Sequence, residues 1–492
     1  MARSLVVFLL MTFAAQTAQV PSPGPAGDSV PTVSFNRDVL PILQRNCQVC
    51  HRPGEAAPMS FLTYADARPW AKAIKQAVLT RKMPPWFADP HYGDFRNAPK
   101  LTEADVKTLA AWADNGAVEG DAGEKPAPID WPNGWRTKPD VIVSIPEPHN
   151  VPAKGAGEIK AFLVDNPFKE DTWVNSIEIR PGEPSVVHHV MLQVPEPGPS
   201  FSWGGVAGSA CIPPSGAEAF LESPITFGKP TPNGQTQPPK PPKNFAILES
   251  VYVPGSPVTD FQYSDSAKLI KGGGKLRIEV HYTPNGKAVS DQTKIGFTLA
   301  KTTPQRRFIM LAPKSIANTR IRIPAGESNW ETRGELQFGQ DAQLVWFMPH
   351  MHLRGKDMTF DLIYPNGRTE TVLSAKFNFN WQLGYELEEP ISVKKGTRMV
   401  IIAHHDNSAN NPYNPDPEKD VAWGNLTSEE MVLPWFGVVV DKNADPERIL
   451  AIRQNGCSLG KAIQSGLPAI SSPLPAISSP LPFPVPARRN GK

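Results

Sequence analysis

Five residues near the N-terminus, Cys47-Gln48-Val49-Cys50-His51, set two thiols and an imidazole side by side. This C-x-x-C-H spacing is the one through which c-type haem is attached: two thioethers clamp the porphyrin edge and the neighbouring histidine faces the iron. A zinc site needs two more ligands close by, and a thioredoxin-like motif needs a βαβ setting. The surrounding sequence supplies neither. The sixth iron position needs a ligand from elsewhere in the chain. Met83, in the stretch RKMPPW, follows a helical pattern and precedes two prolines that stiffen its loop. A thioether there raises the haem potential, as an electron carrier requires. Met59 and His91 are the competing positions.

A second kind of chemistry stands further along. Phe347–Gly355 reads FMPHMHLRG, and on a strand His350 and His352 project from one face while Met351 points away. Such a pair chelates a metal or simply faces water. The chain has ten histidines, and apart from His51, His91 and His149 they fall into four groups: His188-His189, His281, His350-x-His352 and His404-His405. All lie in predicted strands or at their ends. Imidazole with a nearby thioether favours copper, Cu(I) above all, over magnesium or calcium. Three histidines also suit a zinc-bound water, so zinc stays open at this point.

In order, the stretches VVHHVMLQV, EVHYTPNG, WFMPHMHLRG and SEEMVLPWF resemble the motifs of the copper type II, ascorbate-dependent monooxygenases. That family includes the dopamine β-hydroxylases and peptidylglycine hydroxylases. The resemblance is nearer to bacterial relatives in which a cytochrome c domain precedes the copper domains, and it runs from residue 33 to residue 440 in motif order. It implies an electron-transfer copper held by His188, His189 and His281, and an oxygen-activating copper held by His350, His352 and Met431. Each copper stores one electron, so two sites together supply the pair needed to insert one oxygen atom and reduce the other to water. His404 and His405 have no ligand counterpart in the animal enzymes and are expected to support the site or anchor a loop, an extra metal ligand being the minor alternative.

The chain also departs from that pattern. Only Cys211 and Cys457 remain beyond the haem cysteines, so at most one disulfide can replace the several of the animal enzymes. Where peptide-amidating members grip a carboxylate, the matching positions are Met348, Leu433 and Trp435. This apolar set implies an apolar or aromatic C–H substrate rather than a peptide. The expectation is an exported, periplasmic or secreted, haem- and copper-dependent monooxygenase that takes dioxygen, a small substrate and an external reductant or redox protein. The alternatives are a non-enzymatic electron-transfer or copper-binding protein, and a different cytochrome-fused copper redox enzyme. A nitrite reductase would need a strand cysteine beside the histidines, and none stands there.

The elements that must position these residues follow from composition and periodicity. Fifty basic against 48 acidic residues leave a charge of +2, which excludes nucleic acid as an expected partner. The 55 prolines and 37 glycines disfavour long helices and suit many short strands. The apolar run Leu5–Ala15 is too short to span a bilayer and fits an export signal over residues 1–19; a buried N-terminal helix is the alternative. Residues 31–120 carry helical spacing, including a Thr102/Asp105 capping pattern before a helix that stops at Gly116. A Pro-rich linker covers 121–140. From Val141 onward, alternating runs (DVIVSI, AFLVD, SVVHHVMLQV, LRIEVHYTP, IGFTLA, LVWFMPHMHL, MTFDLIYP, RMVIIAHH) predict strands. The expected fold is a small all-α cytochrome c domain followed by two consecutive all-β, jelly-roll-like sandwiches over 141–300 and 301–445. A polar excursion from Ile212 to Lys243 is expected to be a loop, and residues 458–492, with LPAISSP twice, a disordered tail.

Overall fold

Each of the eight alternating runs is a strand: Val141–Ser144, Glu158–Asp165, Val187–Pro195, Lys275–Tyr282, Lys294–Leu299, Ala342–His350, Gly355–Ile363 and Arg398–His405. The computed structural model describes residues 33–155, 157–195, 246–255, 258–311, 321–424 and 426–450. The export signal, the Ile212–Lys243 excursion, Cys211, Cys457 and the repeat-bearing tail all lie outside the described residues.

The strands build one nine-stranded sheet and two four-stranded sheets, with two small ribbons. One four-stranded sheet joins Glu158–Asp165, Lys275–Tyr282, Val187–Pro195 and Ala246–Tyr252; the other joins Trp330–Gln337, Arg398–His405, Gly355–Ile363 and Thr369–Lys376. The chain passes from one half to the other between Leu299 and Arg306. The halves are nonetheless continuous, because Ser266 and Ala267 run parallel to Arg306 and Arg307 and close the nine-stranded sheet across both. Two apolar cores result. One contains Val190, Leu192, Ile278, Val280, Ile295 and Phe297. The other contains Phe347, Phe360, Leu362, Met399, Ile401 and Phe436.

The expected all-α cytochrome c domain is corrected by the structure. Strand makes up 40% and helix 13%, and residues 33–124 hold only short helices. These are Leu40–Asn46, Tyr64–Ala67, Ala71–Leu79 and Glu103–Asp114. The Thr102/Asp105 capping box is formed, and Gly116 takes the left-handed conformation (φ +85°) that ends its helix. Phe35, Leu43, Phe61, Ile74, Leu109 and Trp112 make a small core. Trp86–Asn97 leaves the segment altogether. That stretch lies along the second sandwich, where Ala88 bridges Ala375, Phe95 bridges Leu387, and Arg96 pairs with Glu386 (2.7 Å) and Asp260 (3.3 Å). The helices are thus a cap on a mainly β protein. Among the described residues, no helix is long and apolar enough to cross a membrane.

Phe347 is fully buried against Phe360, ring centroids 5.0 Å apart, three residues before His350. Truncation to alanine should cost about 3–5 kcal/mol through lost burial and the cavity left behind. Urea unfolding of Phe347→Ala followed by tryptophan fluorescence measures it.

Candidate metal centre between the sandwiches

Adjacent strand residues point to opposite faces, yet the rings of His188 and His189 stand together, centroids 4.2 Å apart. The reason is a β-bulge. Val187 pairs with Tyr282 and His189 with His281, so His188 is an extra residue opposite none, and the local twist turns both rings to one side. His281, directly across from His189, brings its ring to 5.6 Å.

The second sandwich delivers its pair to the same place. His350 ends its strand, and its ring lies 5.2 Å from His189 and 5.5 Å from His352. Five imidazoles from both halves therefore form one cluster rather than two remote sets. Phe379, from the loop between strands Thr369–Lys376 and Tyr385–Val393, stacks on His188 at 4.2 Å.

The nitrogens are differentiated. Gln382 donates through Nε2 to the Phe379 carbonyl (3.2 Å), which leaves its Oε1 to accept from His350 Nδ1 (2.5 Å). His352 Nδ1 donates to the Glu429 carbonyl (3.1 Å). Both rings then present Nε2, the arrangement by which an outer partner fixes a metal-ligating histidine. Nε2 of His188 and Nε2 of His189 are buried without a hydrogen-bond partner. His281 Nε2 donates to Glu279 Oε1 (3.2 Å), itself paired with Arg277. Burial pushes His188 and His352 down to about 3 and His350 to about 4, and holds His189 well below the ordinary histidine value. These rings are neutral at neutral pH, the form that binds metal. Buried neutral imidazoles with unpartnered nitrogens fit a copper or zinc ion; as they stand, no three His, Cys, Asp or Glu among the described residues surround one point.

Met431 is buried. Met431 packs in the first core two residues before Leu433, the residue that pairs with His350 where the strand pairing stops. Glu430 accepts from the backbone N–H groups of His352 and Met431. Burial raises its carboxyl to about 7. Met348, Leu433 and Trp435 are buried on the face turned to the first core. His405 is fully buried with Nε2 3.6 Å from Glu430, whereas His404 is bonded to Asp357 (2.6 Å) on the other face.

Cys47, Cys50 and His51 occupy the turn after helix Leu40–Asn46, where the His51 N–H donates to the Cys47 carbonyl (2.8 Å). Burial pushes the Cys47 thiol up to about 12 and lifts that of Cys50. The His51 ring stacks on Phe61 (4.2 Å) and directs Nδ1 at the Met59 carbonyl (3.3 Å), which again leaves Nε2 for a metal. Two thiols and a neutral imidazole so arranged fit covalent haem. Met83 follows helix Ala71–Leu79 and is half-buried; His51 makes its ring and hydrogen-bond contacts with Phe61 and Met59 instead. His91 is exposed on the stretch lying along the second sandwich and bonds Asp89, away from this turn. Glu55 joins Arg52 (2.7 Å), Arg136 (3.3 Å) and Arg180 (2.6 Å), and Arg136 also donates to the Val49 carbonyl (2.7 Å). These bonds moor the cysteine turn to the first sandwich.

Sequence reasoning missed Gln382, Phe379 and Glu430. Glu430 lies inside the quoted SEEMVLPWF, but its partners are 76 and 78 residues away. Gln382 and Phe379 carry no local signal.

No family model matches the chain, and no curated protein does. Among solved structures, a structure of infectious bursal disease virus, Gx strain, is similar at 7% identity and a TM-score of 0.17, over 64% of this chain and 77% of that one. Allantoicase is similar at 9% identity and 0.14, over 51% and 76%. A tandem CBM22 domain from Paenibacillus barcinonensis Xyn10C stands at 10% identity and 0.13, over 63% and 99%. At these scores the likeness carries no argument about fold or function.

Gly355 follows the histidine pair where a Cβ would lie 2.5 Å from the Phe377 ring and 2.7 Å from Met351 Cβ. Gly355→Ala should therefore destabilise by about 1–3 kcal/mol through overpacking. Thermal unfolding by circular dichroism checks it.

Proposed function

We propose that the chain is an exported copper- and haem-containing oxidoreductase that uses dioxygen to hydroxylate a C–H bond of an apolar or aromatic small molecule. The observation that carries this is the convergence of His188, His189, His281, His350 and His352 from two sandwiches into one cluster, with His189 and His352 buried and the other three half-buried. The order of motifs like those of copper type II monooxygenases supports it as well. Copper, when bound there, supplies one-electron storage and a place for dioxygen to react. Haem on Cys47, Cys50 and His51 supplies single electrons from an external reductant.

The chain's own residues do the rest. Gln382 and the Glu429 carbonyl orient His350 and His352. Phe379 covers His188 and excludes water from it. Met348, two residues before His350 on the same strand face, helps line a small cleft between the sandwiches that is apolar at Val251, Val253 and Trp346 and polar at Thr259 and Glu386. The cysteine turn is moored beside Tyr252, which lines one small cleft with Glu55 and Arg180. Tyr252 pairs with Val190, the residue after His189. This neighbourhood suits electron passage from the turn to the cluster.

A second reading is a non-enzymatic copper-binding or electron-transfer protein. The deep burial of His189 and His352 favours it, since little of either ring is open to solvent. Metal and haem content of protein matured in an exporting, haem-attaching host separates these, with wild type beside His352→Ala. Expected are one haem and two coppers, one copper lost in the variant, and oxygen uptake with reductant and an apolar substrate. Copper without substrate-dependent oxygen uptake favours the second reading. Zinc, or iron alone, overturns both.

A further inference from the structure

Strand pairing between the two elements that carry His350 and Met431 ends at His350 and Leu433. Beyond that point the chain needs other acceptors for its backbone N–H groups, because a buried unpaired donor costs about 1–3 kcal/mol. One side chain provides them. Glu430, fully buried, accepts from the His352 N–H (3.0 Å) and the Met431 N–H (3.2 Å) through Oε2, and from the Arg354 N–H (2.6 Å) through Oε1. Arg354 is equally buried and fixed by Asn407 Oδ1 (2.8 Å) and the Ser428 carbonyl (2.9 Å). His405 Nε2 closes the remaining side at 3.6 Å.

A carboxyl group is costly to bury, and a turn that only had to close would need no such group. What this one does is join two backbone points 79 residues apart in the chain, His352 and Met431, through a single oxygen atom. We propose that Glu430 is a positioning residue that holds His352 and Met431 as one ligand pair, fixing the thioether opposite the imidazole. The proposal rests on the reading that His350, His352 and Met431 bind copper. Glutamine is no substitute. It has one acceptor oxygen where two are used, and its amide N–H₂ would face a backbone donor. Aspartate keeps the negative charge beside Arg354 but is one methylene shorter, so it reaches fewer of the three donors.

The test uses copper-loaded full-length protein as wild type, Glu430→Gln and Glu430→Asp. The readouts are Cu(I) X-ray absorption and copper titration, with the Cu(II) signal of the His188/His189/His281 set as an internal control. The wild type should show a sulfur scatterer. Glu430→Gln should lose it and bind its weaker copper about 10–100-fold less tightly, as removal of an outer partner of a ligand does. Glu430→Asp should fall between, and the control signal should persist in both. Sulfur scattering and affinity unchanged in the variants overturn the positioning role while leaving the copper reading intact. Absence of a sulfur scatterer in the wild type overturns that reading and this proposal with it. If Glu430→Gln does not fold, Glu430→Asp decides: a diminished sulfur contribution with the control signal retained supports the role, and an unchanged one overturns it.

Discussion

Where Ser266 and Ala267 run parallel to Arg306 and Arg307, the sheet of the first half passes into that of the second without a break. The strands just beyond this seam, Ala342–His350 and Leu433–Asp441, are covered on both faces. Phe347, Phe436 and Val438 enter the second core, while Trp346, Met348, Leu433 and Trp435 enter the first. Two-sided burial explains why LVWFMPHMHL is almost continuously apolar instead of alternating. A strand held this way can end only at the boundary of the two cores. His350 is where it ends, so the imidazole emerges between the sandwiches, facing the bulged strand of His188 and His189. The place of the cluster is a consequence of the shared sheet.

Burial then dictates the chemistry available. Shut away from water, the rings of His188, His189, His350 and His352 resist protonation, so each must find partners as a neutral donor and acceptor. For His350, His352 and His281 one nitrogen is engaged by Gln382, the Glu429 carbonyl and Glu279. For His188 and His189 an Nε2 is left without any. Buried polar atoms are ordinarily paired, and a coordinating ion would give these two nitrogens the partner they lack. The same division of labour recurs at His51, whose ring is steadied by Phe61 and the Met59 carbonyl.

Much of this was legible in the sequence where the signal is local. Alternation located eight strands, the Thr102/Asp105 pair located a helix start, and the histidine spacings located the residues that converge. What was not legible depends on distant partners. The stretch Trp86–Asn97 has no strand pattern of its own, and it lies along the second sandwich because Ala375, Leu387 and Glu386 receive it. Its departure is one reason the N-terminal segment is a helical cap and not the expected all-α domain. The closeness of His189 to His350 likewise depends on the parallel pairing at Ser266, which two residues of register decide. No property of either histidine's neighbours in the chain records it.

The bulge at His188 is a matter of chain length. One surplus residue between Val187 and His189 overrides the alternation of plain strand pairing. The two-ring geometry is thus stored as a count of residues rather than as a choice among side chains. Point substitution around the pair can change the tightness of packing but cannot undo the count. A lineage carrying this chain would find the histidine pair easy to tune and hard to dismantle by single exchanges, since restoring plain alternation requires a deletion. Loss of the site would therefore be abrupt, arriving as a shift in reading along the strand and not as gradual erosion.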